Sequence, residues 1–269
     1  MPELAELRLT SDYINEASDR VQYTNIEKNP VHKGKEIKSP FEVFKITSQS
    51  RGKELLLTMH DLKSPKKKNI LMLMGMSGHF RLTHKGQEPK HAHLKFISEG
   101  DGLTLSFVDV RRFGKWKLDE TWGINRGPDP TNEYEEFKDN ICENINKVAF
   151  NRPIYEVLMN QKYFNGIGNY LRAEILYRLP ELNPFTSARE ALNIEPKIFS
   201  LCRDIPRQAY IKGGGQLKDW ENPFKTDSSQ FEKFMKCYGN PNMSRRKDKN
   251  GRMFWYDPKW NKLQYLNEN

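Results

Sequence analysis

At 269 residues, with 44 Lys and Arg against 35 Asp and Glu and a net charge of +9, the chain is long enough for two domains, and its charge favours a polyanionic partner, nucleic acid before membrane. Cys142, Cys202 and Cys237 lie far apart and in no CxxC pair, which excludes a disulfide framework and a four-thiolate zinc site and fits a reducing, intracellular compartment. No apolar run approaches the ~20 residues of a membrane span, and the first residues lack the apolar core of a signal peptide.

Leu4, Leu7, Ile14, Ala17 and Val21 recur at three- and four-residue spacings or their sums and predict a helix that begins almost at residue 1. Removal of Met1 from "MPELAELRL" would expose the secondary amine of Pro2, which condenses with an aldehyde-like carbon to a cationic iminium. An amine at a helix start also feels the positive dipole end, which lowers its pKa and raises its nucleophilic fraction. Glu3 and Glu6 lie three apart on one helical face, and a carboxyl beside the nucleophile can supply or collect protons. The plainer alternative is a routine helix start, with proline at the first position and acids in the first turn.

From Phe41 to Leu118 the chain reads as antiparallel strands. "HAHLKF" alternates Ala92, Leu94 and Phe96, and "LTLSFV" alternates Leu103, Leu105 and Phe107, with turn signals between runs. "SRGKELLL" places Lys53 at a strand start, ordinarily a solvated charge. Pro65-Lys66-Lys67-Lys68-Asn69 reads as a hairpin loop rather than a nuclear-targeting signal. In "LMGMSGHF" and "VDVRRFGKW", Met76 and Phe113 would ordinarily be core side chains. His91 and His93 would share a strand face, but no third ligand stands at a telling spacing, and both read as structural.

A boundary falls at "GINRGPDPT", after which the period becomes helical. Asp129-Pro130 is expected to form the cap and first turn of a helix carrying Tyr134, Phe137, Ile141, Ile145 and Val148 on one face. Further helices are expected at 153–161, 169–178, 187–193, 196–211 and 228–238, followed by a Gly- and Pro-punctuated tail. Within "FNGIGNYLRAEILYRL", two glycines form a tight turn opening into a helix whose first N–H groups can meet a phosphate at close range. A packing corner is the alternative. In the tail, Asn250-Gly251 is a good two-residue hairpin turn, and Trp255 and Tyr256 offer packing.

Taken in order, these segments resemble the formamidopyrimidine-DNA glycosylase and endonuclease VIII family. "NGIGN" is similar to its helix-two-turn-helix, with Asn169 matching the asparagine that contacts the DNA backbone. "PELAE" resembles its terminal "PEGPE", with Leu4 and Ala5 in place of Gly-Pro; Pro2 then matches the nucleophile, Glu3 the proton donor and Glu6 a residue of the lesion pocket. Lys53 matches the family's catalytic lysine, a cation placed to bind the flanking phosphate or help activate the sugar. Met76, Arg111 and Phe113 match the triad that refills the hole left by an extruded base. Residues 237–257 stand where the family usually carries a four-cysteine zinc hairpin; with only Cys237 present they resemble the zinc-free finger of the endonuclease VIII-like branch, Arg252 matching the phosphate-gripping arginine. Chance agreement of one motif is common; agreement of all of them in order is not.

The resemblance implies an α+β fold. Its parts are an N-terminal antiparallel β-sandwich with a flanking helix (1–122), a linker (123–131), a helical domain with the two-turn motif (132–238) and a zincless β-hairpin finger (239–269). It implies a DNA glycosylase and lyase of base excision repair that acts through a Pro2 iminium and β,δ-elimination, as a monomer, without metal or cofactor. The partner is damaged DNA, double-stranded first and single-stranded second. Oxidised pyrimidines and hydantoins are the expected bases, with oxidised purines as the alternative. "IKGGGQLKDW", residues 211–220, falls where lesion-contacting loops occur; its glycines suggest a mobile loop and broad specificity. A catalytically silent DNA-binding protein would keep the helix-two-turn-helix and finger without covalent chemistry. An RNA-binding module would need neither the Pro-Glu terminus nor the wedge.

Overall fold

The structure is a computed structural model that describes residues 2–215, 220 and 222–261. It divides into two compact units, the first formed by Met1–Ile124 with Gly213–Ser228, the second by Asn125–Lys212 with Ser229–Asn269. No described helix is long and apolar enough to cross a membrane.

In the first unit, helix α1 (Leu4–Ser18) precedes eight antiparallel strands: β1 (Asn25–Lys28), β2 (Phe44–Arg51), β3 (Glu54–Asp61), β4 (Lys67–Leu73), β5 (His79–His84), β6 (Ala92–Ser98), β7 (Leu103–Val108) and β8 (Lys115–Leu118). They form two four-stranded sheets, ordered β2-β3-β4-β8 and β1-β6-β7-β5. Period-two alternation sends Phe44, Ile46, Leu55, Leu57, Ile70 and Met72 inward from one sheet and Phe80, Leu94, Phe96, Leu105 and Phe107 from the other, and Leu7 and Ile14 of α1 join that core.

Several expectations change here. Lys67, Lys68 and Asn69 do not belong to a loop: they pair with His60, Met59 and Thr58 as the start of β4. The strict alternation of "HAHLKF" breaks, because the register shifts between Ala92 and Leu94. That bulge buries His93, whose Nε2–H donates to the Asp109 carbonyl at 3.0 Å.

Asn15 clamps the main chain of Ser48 with two hydrogen bonds (2.7 and 3.0 Å), while Lys45 Nζ reaches the Asp19 carbonyl at 3.4 Å. The helix therefore runs backwards as β2 runs forwards. Going from Asn15 to Pro2 along a helix is about 20 Å and from Ser48 to Lys53 along a strand about 16 Å, so the N-terminus of α1 and the β2–β3 turn reach the same end of the unit.

The second unit contains α2 (Tyr134–Asn144), α3 (Ile154–Val157), α4 (Asn169–Tyr177), α5 (Ala188–Ile194), α6 (Lys197–Ile211), α7 (Ser229–Phe234) and the hairpin β9 (Ser244–Lys247) with β10 (Met253–Tyr256). Asp129-Pro130 is not the first turn of α2. The Asp129 carboxylate takes the N–H and hydroxyl of Thr131 (2.7 and 2.6 Å), and its own N–H goes to Glu133 (2.7 Å), closing a separate turn before the helix. Two shorter helices also have local causes. After Val157, i to i+3 bonds at Met159 and Asn160 tighten and end α3. After Phe234, the N–H groups of Lys236, Cys237 and Tyr238 turn onto the buried Glu174 carboxylate at 2.8–3.1 Å instead of continuing α7.

The sequence reading keeps 213–228 within the helical domain, but its described residues, 213–215, 220 and 222–228, pack in the first unit. The reason is specific: Gly215 N–H donates to Glu6 at 2.9 Å, and Phe224 meets Tyr13 edge-on at 5.7 Å. Residues 216–219 of the glycine segment, and Met1, lie outside the described residues.

Candidate active site

Pro2 is buried and stands before the helix rather than in its first turn, because Glu3 is the N-cap. Glu3 and Glu6 form a reciprocal capping box: the Glu3 side chain accepts the Glu6 N–H, and the Glu6 carboxylate accepts the Glu3 N–H at 2.8 Å. Both carboxyls are buried, Glu6 completely. The second oxygen of Glu6 receives the Gly215 N–H, so this side chain ties the start of α1 to a segment more than 200 residues away in sequence.

Only glycine suits that junction. Gly214 has φ +66°, and a Cβ there would lie 2.7 Å from Leu9 Cδ1 and 3.1 Å from Glu6 Oε1. Gly213 is also held, its carbonyl accepting from Asn222 Nδ2 at 2.7 Å. Gly213 and Gly215 thus each have a named hydrogen-bond partner. Lys53 occupies the second position of the two-residue β2–β3 turn, with Gly52 at φ 57° in the first and Arg51 paired with Glu54 across it.

Met76, Arg111 and Phe113 lie on turns and loops rather than strands, which removes the reason to read Met76 and Phe113 as core. Phe113 is 54% exposed, with the Arg111 guanidinium 5.1 Å from its ring centre. What brings the turns together is Asp109, which is fully buried. One carboxylate oxygen accepts the Ser77 hydroxyl and the other the Gly114 N–H at 2.7 Å, while Ser77 Oγ accepts the Arg111 N–H at 3.1 Å.

Gly75 allows the close approach. It has φ +64°, and a Cβ there would lie 2.7 Å from Gly114 N. Sequence reading missed Asp109, Ser77 and Gly75; only the proximity of an acid to the "VRRFG" run hinted at the first. Asp109→Asn puts an amide donor against a donor, and Gly75→Ala strains both turns. Each is expected to lower stability by about 1–3 kcal/mol, measured by urea unfolding.

In the second unit, Asn169 and Arg252 belong to one hydrogen-bonded network. Asn169 Nδ2 donates to the Met253 carbonyl at 2.9 Å, and its Oδ1 accepts from Arg172 at 2.6 Å. Arg172, fully buried, also donates to the Tyr155 carbonyl (3.1 Å) and pairs with Asp248 (2.9 Å). The other Asp248 oxygen takes the N–H groups of Asn250 and Arg252, each at 2.9 Å.

Burial pushes the Asp248 carboxyl up, but hydrogen bonds from Arg252 and Arg172 outweigh it and hold the group below the usual carboxylate range. The hairpin is closed by Asp248 N–H to Arg252 O at 2.8 Å, with Gly251 at φ 75°. This makes a three-residue loop of Lys249, Asn250 and Gly251, in place of the two-residue Asn-Gly turn.

Alternation along β10 turns Phe254 and Tyr256 to the inner face, while Trp255 meets Tyr238 at 6.2 Å. Phe254 stacks on Tyr155 at 4.6 Å and Tyr256 meets Phe185 edge-on at 5.1 Å. The Arg172 guanidinium lies 5.1 Å from the Phe254 ring centre. Burial pushes the Cys237 thiol up to about 12, with Glu174 adding to the effect, so it is a neutral thiol at physiological pH.

The α3–α4 turn is built in the same way. Gly166 has φ 92° and donates to Gln161 Oε1 at 3.0 Å, Gln161 Nε2 holds the Ile167 carbonyl at 2.8 Å, and Asn165 Nδ2 holds Gly127 O at 2.8 Å. The first glycine is needed there because the turn into α4 takes Gly166 through positive φ, whereas Gly168 is an extended N-cap.

The family model for the formamidopyrimidine-DNA glycosylase N-terminal domain matches residues 1–116, and that for the endonuclease VIII-like 1 DNA-binding region matches 227–259. Human endonuclease 8-like 1 is 37% identical over 284 residues, covering 95% of this chain and 72% of that protein. A formamidopyrimidine-DNA glycosylase of Listeria monocytogenes is 30% identical over 198 residues, covering 70% and 68%. Among solved structures, the MutM (Fpg) protein of Thermus thermophilus superposes with a TM-score of 0.75 at 23% identity, over 96% of this chain and 98% of that one. Wild-type Lactococcus lactis Fpg, in complex with DNA containing an oxidised pyrimidine, gives 0.75 at 21%, over 96% and 99%. These two share the fold.

Proposed function

The chain belongs to the formamidopyrimidine-DNA glycosylase and endonuclease VIII family, enzymes of base excision repair, and on that premise we propose that Pro2 is its nucleophile and that it removes oxidised pyrimidines and hydantoins before cutting the strand. The observation that carries this reading is the start of α1: a buried proline just outside the helix, directly joined to a buried Glu3 carboxyl held by the capping box.

With Met1 removed and the amine unprotonated, the nitrogen lone pair of Pro2 forms a bond to C1′ of a flipped nucleotide. The base departs with the glycosidic electron pair and collects a proton. Ring opening, with O4′ taking a proton from Glu3, leaves a cationic C1′=N iminium. That cation acidifies C2′; loss of a C2′ proton expels the 3′ phosphate, and a second elimination expels the 5′ phosphate. Water then releases the sugar remnant and restores the amine, leaving a one-nucleotide gap.

In this reading Lys53, Asn169 and Arg252 hold backbone phosphates, Glu6 fixes the glycine segment at the lesion pocket, and Met76, Arg111 and Phe113 occupy the vacated space in the duplex. Residues 1–122, joined by the 213–228 segment, carry the chemistry, 123–131 link, 132–212 with 229–238 hold the helix-two-turn-helix and 239–269 the finger; the protein acts as an intracellular monomer on double-stranded DNA, and on single strands secondarily. The exposed Phe113 beside Arg111 supports the wedge, and the shared network of Asn169 and Arg252 supports a common phosphate-binding role.

Single-turnover excision from duplexes containing thymine glycol, a hydantoin or 8-oxoguanine tests the lesion class. Thymine glycol and the hydantoin are expected to be cut at least tenfold faster than 8-oxoguanine. The reverse order would keep the enzyme and overturn its specificity.

A further inference from the structure

β8 is an edge strand: it pairs with β4 and, among the described residues, has no strand on its other side. In an antiparallel pair only alternate residues direct their main-chain groups at the partner. Asp119 N–H donates to Asn69 O at 2.8 Å, continuing the register in which Lys117 faces Leu71 and Lys115 faces Leu73. Lys115, Lys117 and Asp119 are therefore the bonded positions, and Trp116 and Leu118 turn their N–H and C=O groups outward. Among the described residues nothing takes up those outward groups.

The free edge borders a cleft of about 700 Å³ whose other wall is the 33–37 segment. That wall is fixed, since Trp116 Nε1 donates to the Lys35 carbonyl at 2.8 Å and Gly34 is packed so closely on the indole that a Cβ would fall 2.5 Å from it. The lining carries five cations, Lys33, Lys35, Arg112, Lys115 and Lys117, against three carboxylates, one of which, Asp119, is already paired with Lys68 at 2.8 Å. The strand is bounded by residues with positive φ near both ends, Arg112 (57°) and Asp119 (60°), which limits it to four residues, about 13 Å.

We propose that this edge accepts one strand of an extended acidic peptide from another protein, by β-strand addition in the cleft between β8 and the 33–37 segment. Main-chain bonds to Trp116 and Leu118 would hold the peptide, and alternate glutamates or aspartates would face Lys115 and Lys117. Charge selects the occupant. A second copy of β8 would set lysines against lysines, the arrangement that protects edges from self-pairing, whereas an acidic strand neutralises them.

The probe is an end-blocked octapeptide of alternating threonine and glutamate, added to the full chain and followed by hydrogen exchange and fluorescence anisotropy. Saturable binding that slows exchange at the Trp116 and Leu118 amides is expected. Reversing the charges (Lys115→Glu with Lys117→Glu) should weaken it about tenfold or more. Leu118→Pro, which removes an outward donor without removing a ladder bond, should abolish protection at Trp116. Absence of saturable binding, or binding that leaves both amides unprotected, overturns the proposal. So does displacement of the peptide by lesion-free duplex DNA with perturbation of the same residues, which would make the face a nucleic-acid surface, or protection of both amides by self-association without peptide.

Discussion

Glu3→Gln is expected to lower base excision by about 10²- to 10⁴-fold while leaving strand cleavage at a preformed abasic site far less affected. The glutamine keeps an oxygen that can accept the Glu6 N–H, so the capping box and the helix start survive. What it lacks is the proton that the opening sugar needs before the iminium can form. An abasic sugar already presents an aldehyde, so the amine of Pro2 reaches the iminium there without the missing donor. Parallel single-turnover assays on a thymine glycol duplex and an abasic duplex separate the two steps. Equal loss on both would assign Glu3 a structural role only.

Arg172→Ala is expected to cost about 3–5 kcal/mol, a large fraction of the 5–15 kcal/mol that holds a domain together. The guanidinium is fully buried and serves Asp248, Asn169 and the Tyr155 carbonyl at once, so its loss strands a buried carboxylate and releases the hairpin from α4. Arg172→Lys should recover little, because one ammonium cannot reproduce the planar fork. Urea unfolding reads the stability, and affinity for an uncleavable abasic analogue in duplex DNA reads the phosphate grip, which should fall with it.

The same pair sets a pH dependence. Asp248 is depressed in the folded state, so its contribution is fully present above its unfolded pKa, about 3.9, and is lost as pH falls through the folded value. The finger should loosen only in acid below about pH 4, with no change from this group between pH 5 and 8.

How much of this was legible in the sequence depended on whether a feature repeats locally. The alternation in β7 and the three-to-four spacing in α1 marked those elements directly. β1, with the residues "NIEK" and a single buried apolar side chain, has no pattern to read. The start of β4 was hidden because consecutive lysines look like a loop until the ladder with β3 is seen.

Pro2, Glu3 and Asn169 were singled out because their neighbours resemble a family, and spacing alone would have favoured helix caps and a packing corner. The supports were not legible. Asp109 reaches back to Ser77, Glu6 to Gly215 and Arg172 to Asp248. Each joins residues distant in sequence through a buried polar group, and nothing in local periodicity records such a pairing.

The central claim is that the amine of Pro2 bonds to the damaged nucleotide, and borohydride trapping tests it most directly. The processed protein, a form retaining Met1, and Pro2→Gly are each incubated with a thymine glycol duplex and reductant, and the adduct is mapped by peptide mass spectrometry. A covalent adduct at Pro2, absent when Met1 blocks the amine, is the predicted result; with Pro2→Gly, any residual adduct must map to the new terminal glycine. An adduct on a lysine, or no adduct on either thymine glycol or an abasic site while the protein still binds damaged DNA, would contradict the account.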